Sequence, residues 1–135
     1  MPVETPDQPA QPGRHPLPRL VDHHCFACGT DNPVGLGMTF YREGDVIVSE
    51  LQLKVGYMGW DKIAHGGIVS TLLDEIMAYA TIAFERRYFV TRTMQVRYRR
   101  PVPLETPLRV EGRMLERGDE RHCKAGGRVP NADGQ

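Results

Sequence analysis

An excess of charge of either sign is missing: 17 Lys and Arg stand against 17 Asp and Glu in 135 residues, with a pI near 7.0. A neutral chain has no general electrostatic hold on a phosphate backbone, which argues against nucleic acid as the main partner. Cysteine is scarce as well. Cys25, Cys28 and Cys123 are three in all, too few and odd in number for a disulfide scaffold, so they read as thiols, metal ligands or buried small residues. No uninterrupted apolar run comes near the ~18 residues of a membrane span. The first residues, MPVETPDQPAQPGRHP, have neither the basic start and apolar stretch of a secretory signal nor the Arg-rich, acid-poor character of a transit peptide. The expectation is a soluble globular protein in a reducing, cytoplasmic setting, with no membrane partner.

Pro2, Pro6, Pro9, Pro12, Pro16 and Pro18 supply six of the chain's 11 prolines, and repeated loss of the backbone donor discourages helix and sheet. Residues 1–18 therefore read as an extended or disordered tail, and 19–135 as a single domain. Thr30-Asp31-Asn32-Pro33 with Gly35 and Gly37 is turn chemistry leading into a short strand at 38–41. After a second turn at Glu43-Gly44-Asp45, Ile47, Ser49, Leu51, Leu53 and Val55 alternate with Val48, Glu50, Gln52 and Lys54, the period of a half-buried strand. Leu108, Val110, Gly112 and Met114 alternate likewise with Arg109, Glu111 and Arg113, and Met94, Val96 and Tyr98 alternate in the same way between Arg92 and Arg100. A weaker strand at 122–129 contains Gly126 and Gly127. The chain then stops at a turn-like Asn131-Ala132-Asp133-Gly134-Gln135, where a further strand is expected; a frayed end is the alternative.

One helix stands out, from about 66 to 84. Ile68, Val69, Leu72, Leu73, Ile76, Ala80 and Ala83 fall on one apolar arc at 100° per residue, so it reads as a core helix. Two strands, one long helix and further strands make an α+β protein with an antiparallel sheet packed on a single helix. His65-Gly66-Gly67 opens the helix, where two glycines let a ligand approach unpaired backbone N–H groups at the positive end of the dipole. A glycine turn that only allows tight packing is the alternative. Asp74 falls opposite the apolar arc near Ser70, Met77 and Thr81, and Glu75 near its border; in a lone chain Asp74 is expected to be solvated.

The stretch HGGIVSTLLDE followed by VTRTMQVRYRRPVPLETPLRVEG resembles the hotdog-fold acyl-CoA thioesterases, especially their PaaI-like branch. CFACGTDNPVGL resembles the N-terminal segment of some bacterial members, so the likeness covers about Cys25 to Gly134. The resemblance implies a sheet wrapped around the helix and hydrolysis of an acyl-CoA thioester to free acid and CoA. It places the catalytic acid on Asp74, the backbone donor on Gly66-Gly67, a hydroxyl on Thr91, and a positioning role on His65, which otherwise reads as a helix cap. The asparagine or glutamine that some members carry before the triplet has no clean match in GYMGWDKIA, where Asp61 is a weak substitute. It implies a homodimer, or a dimer of dimers, with sites built across the interface.

Thioester chemistry suits these groups. A carboxylate can activate water or attack to form an anhydride while N–H donors stabilise the oxyanion, so no metal or other cofactor is expected; the two routes stay open. Gly66 and Asp74 are eight residues apart, about 12 Å along a helix, so one carbonyl cannot bridge them within one chain. Two chains must therefore supply them. Trp60, Met77 and Phe89, with Tyr57 and Met58, are candidates for an acyl pocket, and core packing explains each equally well. Arg99 and Arg100 end a basic stretch that includes Arg86, Arg87, Arg92 and Arg97, suited to CoA phosphates or to a solvated face. His23-His24-Cys25-Phe26-Ala27-Cys28 has metal-ligand spacing, but the usual second pair is missing, which favours a structural turn with buried thiols over zinc. Two other functions remain open: a non-catalytic acyl-CoA-binding protein, and a zinc-binding interaction module using Cys25 and Cys28.

Overall fold

The structure is a computed structural model that describes residues 3–4, 13–20 and 22–130. Among these, seven strands and one α-helix are arranged in the order β1 (Val3–Glu4), β2 (His15–Pro16), β3 (Arg19–Leu20), β4 (Tyr41–Glu43), β5 (Val46–Gln52), α1 (Gly66–Glu85), β6 (Pro107–Glu116) and β7 (Lys124–Arg128). The main sheet runs β2-β4-β5-β6-β7, each neighbour antiparallel, and β1 pairs with β3 apart from it. Part of the proline-rich start thus joins the fold: His15–Pro16 lies on the sheet edge, where a proline's missing donor costs no ladder bond. Residues 1–2 and 5–12 of the expected tail, and the turn-like 131–135, lie outside the described residues.

The period-two pattern of β5 and β6 has a direct structural counterpart. Ile47 pairs with Gly112, Ser49 with Val110 and Leu51 with Leu108, and the shared face packs on Val69, Leu72, Ile76 and Ala80 of α1. By length and composition α1 is apolar enough to cross a bilayer. Here its apolar arc is the core of the domain, and Asp74 lies off that arc halfway along the helix.

Two glycines set how closely helix and sheet approach. A Cβ on Gly112 would lie 2.7 Å from the Ile76 carbonyl oxygen, and one on its cross-strand partner Gly127 would lie 3.1 Å from Ile76 Cγ2. The glycines that weaken the sequence signal of β7 are what allow α1 to lie on it.

The opposite face of the sheet carries an ion network. Glu43 accepts from Arg14 and from Arg109 at 2.7 Å, and Glu111 accepts from Arg109 at 2.9 Å and Arg128 at 3.0 Å. Hydrogen bonds from Arg109, and then Arg14, outweigh burial and hold the Glu43 carboxyl below the usual carboxylate range.

One expected strand is absent. Met94, Val96 and Tyr98 keep their alternation, but no strand is assigned between α1 and β6, and the one ladder contact there is an isolated bridge from Ile63 to Pro103. A strand is defined by a neighbour, and among the described residues nothing pairs with this segment. It instead lays side chains along one flank of α1.

Candidate active site

His65 is the N-cap of α1, with φ −60° and ψ 138°, and its Nδ1 accepts from the Gly67 N–H at 2.9 Å. That satisfies one of the helix's unpaired donors in the way a Ser or Asp cap does. The entrance is held from behind: the His65 N–H donates to Tyr57 O at 2.8 Å and Gly59 N–H to Ile63 O at 2.9 Å. A Cβ on Gly59 would meet His65 Cα at 2.9 Å, so the Gly there lets the short hairpin press against the cap.

With Gly67 engaged by the imidazole, Gly66 offers the open donor of the triplet. No described residue accepts from its N–H, and its surroundings on the other side are set by Tyr98. The Tyr98 hydroxyl donates to Gly66 O at 3.0 Å and shares a short hydrogen bond with Ser70 Oγ, while its ring would touch a Cβ on Gly66 at 3.4 Å. Tyr98 and Ser70 are site neighbours that the sequence did not single out. Their only signal was Tyr98's place at the end of the alternating run and Ser70's position one turn after Gly66.

One turn further along the same flank, the Thr91 hydroxyl donates to Asp74 Oδ1 at 2.6 Å. The two residues assigned to acid and hydroxyl are therefore in contact. Asp74 is half-buried rather than solvated, because residues 91–98 cover the helix flank that the helical wheel leaves open. Gly66, Ser70 and Asp74 follow one another at four-residue spacing, so acid, hydroxyls and backbone donor line one stripe.

The other candidates are dispersed. Trp60 is 85% exposed beside the helix entrance. Met77 packs on the core, 3.3 Å from where a Gly127 Cβ would be. Tyr57 is structural: its hydroxyl donates to both Val34 O and Gly35 O at 2.8 Å. Phe89 is half-buried, and Arg99 and Arg100 are exposed. A surface hollow of about 480 Å³ between Glu50–Gln52 and Pro107–Arg109 contains none of them. Glu75, on the neighbouring flank of α1, faces Cys25 and Cys28, a grouping the sequence did not disclose.

A single helix with an antiparallel sheet packed on it, and an acid–hydroxyl pair below a glycine-opened N-terminus, defines a hotdog-type α+β protein. The thioesterase superfamily profile matches residues 61–123, which include every residue of the stripe. One solved thioesterase superfamily protein aligns at a TM-score of 0.75 and 27% identity over 87% of this chain, which spans 61% of that protein's length. A second aligns at a TM-score of 0.65 and 30% identity over 74% of this chain and 76% of its own. Zebrafish thioesterase superfamily member 2, at 19% identity and a TM-score of 0.58 over 75% of this chain and 83% of its own, shares the fold. No curated protein matches significantly. The chain belongs to the thioesterase superfamily.

Proposed function

We propose that the protein is an acyl-CoA thioesterase, a PaaI-like member of its superfamily that acts as a homodimer or dimer of dimers in the cytoplasm. The observation that carries this reading is the 2.6 Å hydrogen bond from Thr91 to Asp74 on a helix opened by His-Gly-Gly. A carboxylate with one oxygen held by a hydroxyl keeps the other for water or for the thioester carbon. The Gly66 N–H, at the positive end of α1, serves the carbonyl oxygen as it gains charge. The thiolate is a good leaving group, so activation on these two sides accounts for the chemistry.

Gly66 and Asp74 remain about 12 Å apart along α1, so the working site pairs Asp74 and Thr91 of one chain with Gly66 of another. Exposed apolar groups in the chain that leads from the end of α1 to Thr91, Tyr88 at 80% and Val90 at 95%, support a second copy against this segment. Trp60 is then placed to meet the acyl group, and Arg99 and Arg100 the CoA phosphates.

The test is a thiol-release screen over short, long and aromatic acyl-CoAs, with calorimetry of CoA binding alongside. Hydrolysis of at least one class, lost in Asp74→Asn, supports the reading. Binding without hydrolysis of any class selects the non-catalytic acyl-CoA-binding alternative.

A further inference from the structure

We propose that Cys25, Cys28 and Glu75 form a binding site for a thiophilic divalent cation, with Zn²⁺ as the natural probe, joining the 23–31 loop to the middle of α1. The ligand atoms of all three lie within 4.8 Å of one another, and Cys25 Sγ is 3.8 Å from Glu75 Oε1. Around a tetrahedral zinc, with Zn–S about 2.3 Å and Zn–O about 2.1 Å, neighbouring ligand atoms stand about 3.6–3.8 Å apart. The observed cluster needs little closure to reach that spacing, and water completes the fourth position.

Glu75 is half-buried, yet among the described residues no lysine, arginine or histidine is paired with it. Its partner is a thiol, a weak donor, and Cys28 beside it is only 7% exposed. A half-buried carboxylate beside two sulfur atoms has only weak donors, and a bound cation would satisfy all three groups together. Sulfur and carboxylate together select zinc-like ions over calcium or magnesium, which prefer all-oxygen shells.

The cage is also braced. The Cys25 carbonyl accepts from Gly29 N–H at 2.9 Å, and a Cβ on Gly29 would strike the His23 oxygen at 2.4 Å and Cys25 N at 2.5 Å, so the turn that presents both sulfurs requires glycine there. Tyr79 stacks on buried Phe40 at 3.6 Å between centroids and donates its hydroxyl to Cys28 Sγ at 3.6 Å, a bond that orients the sulfur. In this proposal one carboxylate from α1 stands in for the missing second ligand pair. None of the three residues belongs to the Asp74 stripe, so this inference and the thioesterase reading fail separately.

The experiment titrates the reduced, metal-stripped full chain with Co²⁺, followed by Zn²⁺. Expected are one Co²⁺ per chain, a thiolate-to-cobalt charge-transfer band, and displacement by one equivalent of Zn²⁺. Cys25→Ser and Glu75→Gln should each weaken binding at least ~10-fold, with folding checked by circular dichroism, while Cys123→Ser, outside the cluster, leaves it unchanged. If a cluster variant fails to fold, the wild-type band and the Cys123→Ser control decide. No thiolate band in wild type, a band lost only with Cys123, or a band untouched in folded Cys25→Ser overturns the proposal.

Discussion

The Thr91 hydroxyl donates a 2.6 Å hydrogen bond to the Asp74 carboxylate across 17 residues of chain. A threonine in an unpaired segment and an aspartate in mid-helix have no local reason to meet. Their contact orients the carboxylate and leaves Oδ2 with no partner among the described residues, as the proposed role of proton acceptor or nucleophile requires. Tyr98, seven residues on, makes the matching contact at the helix entrance with Gly66 and Ser70. The segment is thus a strap that positions the stripe's groups from above.

Asp74→Asn removes the carboxylate charge without changing the side chain's shape. Asp74→Asn should lower kcat by at least ~10²-fold and leave acyl-CoA binding largely intact. Thr91→Val, which keeps the branch and deletes the donor, should lower kcat by about tenfold with little change in unfolding midpoint, because the bond is at the surface. Steady-state kinetics of both variants on one active acyl-CoA check this; an unchanged kcat in Asp74→Asn would remove Asp74 from the chemistry.

Close helix–sheet contact makes Gly112 sensitive to a single methyl group. Its Cβ would lie 2.7 Å from the Ile76 backbone oxygen, which cannot swing aside as a side-chain end can. Gly112→Ala should therefore destabilise the protein by about 1–3 kcal/mol, read from urea unfolding. Gly44→Ala meets no atom within 4 Å, and its cost comes from the positive φ of 62° alone. A Gly112→Ala as stable as wild type would mean that α1 shifts freely on the sheet.

Periodicity made the helix and the β5 and β6 strands legible, because each buries one face and repeats at its own period. Alternation also pointed to a strand around Met94–Tyr98. There it reported an exposed and half-buried rhythm without a ladder, since a strand's hydrogen-bond partner is not encoded in its own pattern. The wheel of α1 placed Asp74 correctly away from the core, but could not show that Thr91 covers it. Glu75 facing Cys25 across 50 residues was illegible for the same reason: long-range contact has no local signature. His65, Gly66 and Gly67 were readable as a helix entrance because capping chemistry is local.

Acid should weaken the outer face of the sheet. Glu43 is held below its ordinary value of 4.5, chiefly by the Arg109 hydrogen bond and also by Arg14. A depressed folded pKa contributes stability that is present above about 4.5 and is lost as pH falls through the folded value. Arg109 is 38% exposed, and solvent screening keeps the contribution to about 0.5–1 kcal/mol. Glu43→Gln should thus be less stable than wild type at pH 7 by that amount, with the gap closing on acidification and in high salt. Urea unfolding across pH 7 to 3 measures it; a gap that widens in acid would reverse the sign of the argument.

The two-chain site can be tested by mixing subunits. Asp74→Asn keeps Gly66, and Gly66→Pro keeps Asp74 and its Thr91 partner while deleting the proposed N–H donor. Gly66 is the first helical residue, the position where proline is best tolerated, and His65 before it already holds the extended φ −60°, ψ 138° that a following proline demands. Tyr98, 3.4 Å from a Cβ at Gly66, is the neighbour that must give way, so folding and dimerisation of Gly66→Pro are checked first. Each variant alone should be inactive. After subunit exchange of an equal mixture, half the dimers are mixed, and each of these has one site with both lesions and one with neither. Activity should return to about a quarter of wild type. Verified exchange with no recovery would place both groups in one chain, and the separation of Gly66 from Asp74 would then have to be bridged by movement of the helix entrance.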